Sequence, residues 1–286
     1  MTKRWDYPDG SLYLGDCRKV MKSLSEHSVD LVFGSPPYQQ ARDYLEDGED
    51  LGIARDTDEW VAWMVRVFKS SLRVSKGLVA FVVGHGKGAR SWSAAPALLC
   101  ADLYRAGINL RSPVWYKRVG SPGAGGDDWL RPDLEWIICA ANDDKELPWS
   151  DNTACGHPPK YGRGGAMSRR LKDGRRVDGR PVELRRFVKA NPGNVIDVGA
   201  VGGGRLGAHM AHENEAPFPE RLPDFFIRSF CPPGGTVLDP FGGSGTTLAC
   251  AIKRKRKFIS IDLRESQVQL MRRRVKIARS DVGMGL

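Results

Sequence analysis

The sequence predicts a doubly wound α/β fold built on a mostly parallel sheet. Three observations lead there. Short apolar runs alternate with stretches of helical periodicity at both ends of the chain, the pattern of a parallel sheet covered on both faces. One run, VLDPFGGSGTTLA at 237–249, reads as a strand, a glycine turn and the start of a helix. A chain of 286 residues, 41% hydrophobic, can also bury the core that such a sheet requires.

The elements follow in order. SLYLGD (11–16) alternates and ends in Gly-Asp, a short strand, and VDLVFGSPP (29–37) is a second strand stopped by two prolines. Residues 39–57 carry Asp43, Glu46, Asp47, Glu49, Asp50 and Asp56 and read as an acidic loop, with acids continuing to Glu59. From Asp58 as N-cap, Trp60, Met64, Val67, Phe68 and Leu72 recur at helical spacing and form a core-facing stripe. GLVAFVVG (77–84) has the composition of a fully buried strand, and SAAPALLCADLYRAG (93–107) that of a helix ending at Gly107. NLRSPVWYKR (109–118) and LEWIICAAN (134–142) are further strands. Periodicity is then lost over 143–208, where Gly, Pro and Arg accumulate. Order returns with a helix at PERLPDFFIRSF (219–230), strands GTVLDP (235–240) and KFISID (257–262), and helices GSGTTLACAIKR (243–254) and SQVQLMRRRVKIARS (266–280).

Charge gives the first functional hint. The formal net charge is +10, and 157–189 alone holds eleven bases against three acids. Such a balance favours polyanions, nucleic acid first. Six scattered cysteines without a C-x-x-C pair argue against a disulfide scaffold or a zinc ribbon. Cys155 and His157 are too far along the chain from His209 and His212 to suggest a finger, so no metal is expected. MTKRWDYPDG lacks the apolar core of a signal peptide, and no apolar run has the length of a membrane span. The expected setting is the cytoplasm.

The glycine turn at 241–245 excludes two common ligands. A Walker A loop needs Lys before its Ser/Thr, but Gly245 is followed by Thr246 and Thr247. A dinucleotide fingerprint starting at Gly243 needs glycine at 248, where Leu248 stands. What remains is an acid at a strand end, Asp239, before a loop that lets a ligand approach the backbone, and a second acid, Asp262, ending the next strand. Asp239 suits a cationic amine, and Asp262 suits a ribose diol. A ligand with ammonium, ribose and adenine but no pyrophosphate is S-adenosylmethionine.

These motifs resemble the amino-directed DNA methyltransferases, which methylate N4 of cytosine or N6 of adenine, and the resemblance covers nearly the whole chain. DPFGGSGTT is similar to that family's cofactor loop, which assigns Asp239, Pro240, Phe241, Gly243, Ser244, Gly245 and Thr246 to the cofactor, with Asp262 from FISID. LGDC resembles the strand end whose Asp16 and Cys17 line the adenine pocket, and HENEAPFPERLP the stretch that places Phe218 and Pro219 beside the cofactor. SPPY resembles the catalytic motif: Ser35, Pro36, Pro37 and Tyr38. Catalytic motif, variable region, cofactor loop is the order of the family's β-type circular permutation, and it puts strand 11–16 beside strand 257–262. The resemblance implies one catalytic domain over 1–286 with an inserted target-recognition region at 145–208. There Lys160, Arg163, Arg169, Arg170, Arg175 and Arg176 are candidate contacts to double-stranded DNA. It admits a homodimer and a cognate restriction endonuclease as partners.

The chemistry accounts for Pro-Pro. An exocyclic amino nitrogen has its lone pair delocalised into the ring and is a poor nucleophile. Acceptors aimed at both its hydrogens, on a rigid backbone, favour the sp³ character that attack requires. Pro36 C=O and Ser35 Oγ are the two acceptors expected, and Tyr38 offers a face to a base flipped from the duplex. Family members acting on adenine mostly carry Asp at the motif's first position, whereas Ser is typical of those acting on cytosine N4, so Ser35 points to N4-cytosine. N6-adenine methylation is the alternative. RNA methylation and a non-catalytic DNA-binding module are more distant ones. A C5-cytosine enzyme would need a Pro-Cys nucleophile, and only the reversed Cys231-Pro232 occurs.

Overall fold

The computed structural model describes residues 2–38, 56–84, 92–119, 130, 132–159, 168–178, 188–199 and 218–283. In chain order the elements are β1 Lys3–Tyr7, β2 Gly10–Leu14, α1 Cys17–Ser23, β3 Val29–Gly34, α2 Thr57–Val74, β4 Ser75–Val83 and α3 Ala95–Arg105. Then come β5 Asn109–Leu110, β6 Val114–Val119, β7 Leu134–Ala141, β8 Ser168–Arg170, β9 Arg176–Asp178 and β10 Val195–Gly199. The chain closes with α4 Arg221–Phe230, β11 Thr236–Asp239, α5 Thr246–Lys253, β12 Lys257–Asp262 and α6 Glu265–Asp281.

The main sheet runs β1-β2-β12-β11-β3-β4-β7-β6-β10, with β5 beside β7. From β2 to β4 every pairing is parallel; β1 and β7 run against their neighbours. Alternation along the strands feeds two cores. In β4, Leu78, Ala80 and Val82 face a cluster that includes Phe226, Leu248 and Met271 from α4, α5 and α6. Val79, Phe81 and Val83 face the other, with Met21, Trp60 and Leu99 from α1, α2 and α3. The sheet is therefore doubly wound, as expected. β2 pairs β12 in parallel register, so the two ends of the chain meet, and ion pairs Lys3–Glu265 (3.4 Å) and Asp9–Arg279 (2.5 Å) join them.

Several local expectations change. Asp56, not Asp58, caps α2: its Oδ1 accepts from the amides of Asp58 (2.8 Å) and Glu59 (3.3 Å), which leaves Asp58 and Glu59 in the first turn, where acids complement the helix dipole. The 109–118 strand is broken into β5 and β6, because Pro113 has no N–H to give a ladder. β1, α1 and β10 arise where no long periodic run signals them. β10 lies inside the stretch without clear periodicity, yet it pairs β6, and Ile196 and Val198 are buried. The basic segment is closed at its base by a bridge between His157 and Ala190 and contains the separate hairpin β8–β9. The acidic stretch up to residue 55, Lys160, Arg163, His209 and His212 lie outside the described residues. Among the described residues, no helix is long and apolar enough to cross a membrane.

Candidate active site

Parallel neighbours deliver their carboxyl ends to one edge, and in this sheet β3 and β11 are such neighbours, with Leu31 beside Val237 and Val32 beside Leu238. Ser35 and Pro240 therefore leave the sheet side by side. Gly34 is what permits it: a Cβ there would lie 2.4 Å from Asp239 Oδ1 and 3.5 Å from Pro240 Cδ. Asp239 is 2% exposed and accepts from the Phe241 amide at 2.9 Å. Burial raises its carboxyl to about 7, against the opposing pull of the Phe241 amide and the Thr247 hydroxyl.

The glycines of the turn have separate tasks. Gly243 (φ +49°) and Gly245 (φ +76°) occupy the left-handed region. Gly242 packs: a Cβ there would meet Met271 Sδ and Ser260 Oγ, both at 2.4 Å. Asp262 braces the turn, taking the Gly243 amide on Oδ2 and the Arg264 amide on Oδ1, each at 2.9 Å. The Arg264 guanidinium also stands by this carboxylate, its Nε 3.9 Å from Oδ1. Ser244 and Thr246 are buried with hydroxyls 3.1 Å apart where α5 begins. Pro240 is buried, and the Phe241 ring packs against Phe81 and Trp63, both at 5.7 Å. Phe218 meets Phe33 edge-on at 5.9 Å, and Pro219 O accepts from Leu222 N at 3.0 Å at the start of α4.

One strand beyond Asp262, β2 is followed by Gly15, whose amide donates to Asp262 O at 2.9 Å. Asp16 follows and caps α1 through the Arg18 amide at 2.8 Å. Burial raises its carboxyl, but the Arg18 guanidinium and amide outweigh that and hold it below the usual range. Burial pushes the Cys17 thiol up to about 12, so it is no nucleophile. Asp239 and Asp262 thus end two adjacent strands, and Asp16 stands just past the end of the third, around a glycine turn. That donor set fits an ammonium and a ribose diol, the groups S-adenosylmethionine presents.

The SPPY stretch is held from three sides. The Trp60 indole N–H on α2 donates to Pro37 O at 2.9 Å, so a residue expected only as core also anchors Pro-Pro. The Tyr38 hydroxyl donates to Glu135 Oε2 at 2.9 Å, and a Cβ on Gly84 would lie 2.3 Å from the Tyr38 ring. Ser35 Oγ lies 3.2 Å from Val82 O and 3.3 Å from Tyr38 Oη. Glu135, Arg118, Gly34 and Gly84 were not singled out from the sequence. The available signal for Glu135 was a lone acid in the apolar strand LEWIICAA. Of the basic candidates, Arg170, Arg175 and Arg176 are exposed on the β8–β9 hairpin, where Arg175 pairs with Asp173 at 2.8 Å, and Arg169 lies in β8.

A family model described as DNA methylase, covering N6 and N4 methylation, matches residues 29–273. The chain belongs to this N6/N4 DNA methylase family. The DNA methylase match spans both the SPPY stretch and the glycine turn. The chain is 27% identical over 264 residues to the DNA adenine methyltransferase YhdJ of Escherichia coli, covering 92% of this chain and 82% of that one. It is also 27% identical over 297 residues to the type II methyltransferase M.PvuII of Proteus hauseri, covering 91% and 82%. The fold matches the structure of the cytosine-N4-specific PvuII DNA methyltransferase with a TM-score of 0.69 at 21% identity, covering 93% of this chain and 86% of that one. It also matches a putative DNA modification methylase of Thermus thermophilus complexed with S-adenosyl-L-methionine, with a TM-score of 0.54 at 24% identity and coverages of 93% and 95%.

Proposed function

We propose that the protein transfers a methyl group from S-adenosylmethionine to the exocyclic N4 of cytosine in double-stranded DNA. The observation that carries the choice of base is Ser35, a hydroxyl at the first position of SPPY, where a carboxylate would favour adenine. S-adenosylmethionine supplies an electrophilic methyl on a sulfonium. Asp239 binds its ammonium and Asp262 its ribose hydroxyls, with Asp16 and Cys17 at the adenine end and Phe218 and Pro219 packed beside the cofactor. Ser35 Oγ and Pro36 C=O accept the two amino hydrogens of the target base. The half-buried Tyr38 ring provides a stacking face for a flipped base. The N6-adenine reading keeps the same machinery, and YhdJ, as similar in sequence as M.PvuII, favours it. To separate the two, the protein is incubated with labelled cofactor and mixed-sequence duplex DNA, which is digested to nucleosides and read by mass spectrometry. N4-methylcytosine is expected. N6-methyladenine would overturn the choice of base and keep the mechanism.

The 145–208 region, with its basic hairpin, is the proposed target reader. Exposed Arg170 and Arg176 flank the β8–β9 turn, while Arg175 is engaged by Asp173. Arg170→Ala combined with Arg176→Ala is expected to weaken duplex binding. If both side chains contact phosphate, the slope of log affinity against log salt should become shallower by about 1.8. An unchanged slope in a fluorescence-anisotropy salt series would place the phosphate contacts elsewhere.

A further inference from the structure

Glu135 is 8% exposed near the amino end of β7, a strand that runs antiparallel to β4. Its carboxylate therefore reaches the edge at which β3 and β4 release Ser35 and Gly84. Burial of a carboxylate is costly unless it is paired. Here Oε1 lies 3.3 Å from Arg118 Nη1, and Oε2 accepts the Tyr38 hydroxyl at 2.9 Å. The Tyr38 hydroxyl stays protonated, because burial, and then the charge of Glu135, push it well above its ordinary range. Its single proton is committed to Glu135, so it offers only lone pairs to Ser35 Oγ, 3.3 Å away. Among the described residues, the other neighbour of Ser35 Oγ is the Val82 carbonyl at 3.2 Å, also an acceptor. The Ser35 proton thus points into the protein whichever of the two it meets, and the lone pairs of its oxygen remain for an incoming donor. These contacts are long for O–H···O bonds, as catalytic hydrogen bonds often are before substrate arrives.

We propose that Glu135 is a positioning residue that acts through the Tyr38 hydroxyl to hold Ser35 Oγ as an acceptor for an amino hydrogen of the target base. The inference rests on amino methylation and is the same for cytosine or adenine. The chain runs in one direction, from target N–H to Ser35 Oγ, from Ser35 Oγ–H to Tyr38 Oη, and from Tyr38 Oη–H to the carboxylate. Replacing the carboxylate by an amide of the same shape puts an N–H donor beside Tyr38 Oη. The tyrosine proton can then turn to Ser35 Oγ and occupy the lone pair that the base requires.

Single-turnover methyl transfer is measured for the wild type, Glu135→Gln, Tyr38→Phe and the double variant, with cofactor and DNA affinities measured alongside. The wild-type rate, read first, tests amino methylation by itself. The ratio of variant to wild type tests Glu135. Glu135→Gln is expected to slow the step about 10- to 100-fold, with both affinities within about twofold. In the Tyr38→Phe background, which lacks the middle link, Glu135→Gln is expected to have no further effect. A Glu135→Gln rate equal to wild type overturns the proposal, as does an unchanged Glu135→Gln factor in the Tyr38→Phe background. A slowed rate accompanied by lost cofactor affinity also overturns it, because that pattern belongs to a structural prop.

Discussion

Shifting from about pH 8 to about pH 6 will weaken S-adenosylmethionine binding about tenfold in the wild type, and Asp239→Asn will bind far more weakly at both. The reason is the state of one buried carboxyl. Burial, the largest cause, holds Asp239 at about 7 in the cofactor-free protein, so near neutrality it is divided between acid and carboxylate. Only the carboxylate form pairs with an ammonium. Below 7 the competent fraction falls tenfold per pH unit, and apparent affinity falls with it. The same group sets a slope in stability. Its carboxyl sits above the unfolded value of 3.8, so between about 4 and 7 the native state holds a proton that the unfolded chain has released. Stability of the cofactor-free protein therefore declines as pH rises through that window, by an amount on the order of a few kcal/mol, and is flat above it. Asp239→Asn carries no charge and loses that slope. Calorimetric titration with cofactor and urea denaturation, each at several pH values, check the two halves. Wild-type affinity that is level from pH 6 to 8 would mean that Asp239 does not meet the ammonium.

The sequence made the sheet legible because its central strands are buried on both faces and read as continuous apolar runs. Their order followed from the motif order, which predicted that β2 and β12 would be neighbours. Asp239, Asp262 and Ser35 stand out in the sequence for a related reason: the first two end strands and the third directly follows one, and parallel strands bring their ends together. What stayed hidden depends on contacts between distant segments. Trp60 has the periodicity of a core residue, and only the fold shows that its N–H reaches Pro37. Gly34 reads as a strand terminator, yet its missing side chain is what lets Asp239 stand beside the SPPY stretch. Arg118 and Glu135 meet because β6 and β7 pair, a register that periodicity does not encode. β10 is short and half exposed, so its alternation is too weak to stand out within a stretch rich in arginine and glycine.

Ser35→Ala will lower the rate of methyl transfer about 10²–10³-fold while leaving cofactor affinity close to wild type. Ser35 follows Gly34 directly, so its Cβ position is fixed by the same close approach that seats Asp239, and alanine fits that backbone without strain. The only thing lost is Oγ. With it goes one of the two acceptors that would draw the amino hydrogens out of the base plane, an interaction that strengthens as the nitrogen becomes sp³. A ground-state contact would show itself in KM, whereas a transition-state contact shows itself in kcat, so the split between them is the informative number. Ser35→Thr keeps an oxygen at the same place and is expected to recover most of the rate. If Ser35→Ala turned over like wild type, the Pro36 carbonyl and the stacked Tyr38 ring would suffice to activate the amino group. The hydroxyl chain ending at Glu135 would then be structural, and the two measurements must agree on this point because both act on one oxygen atom.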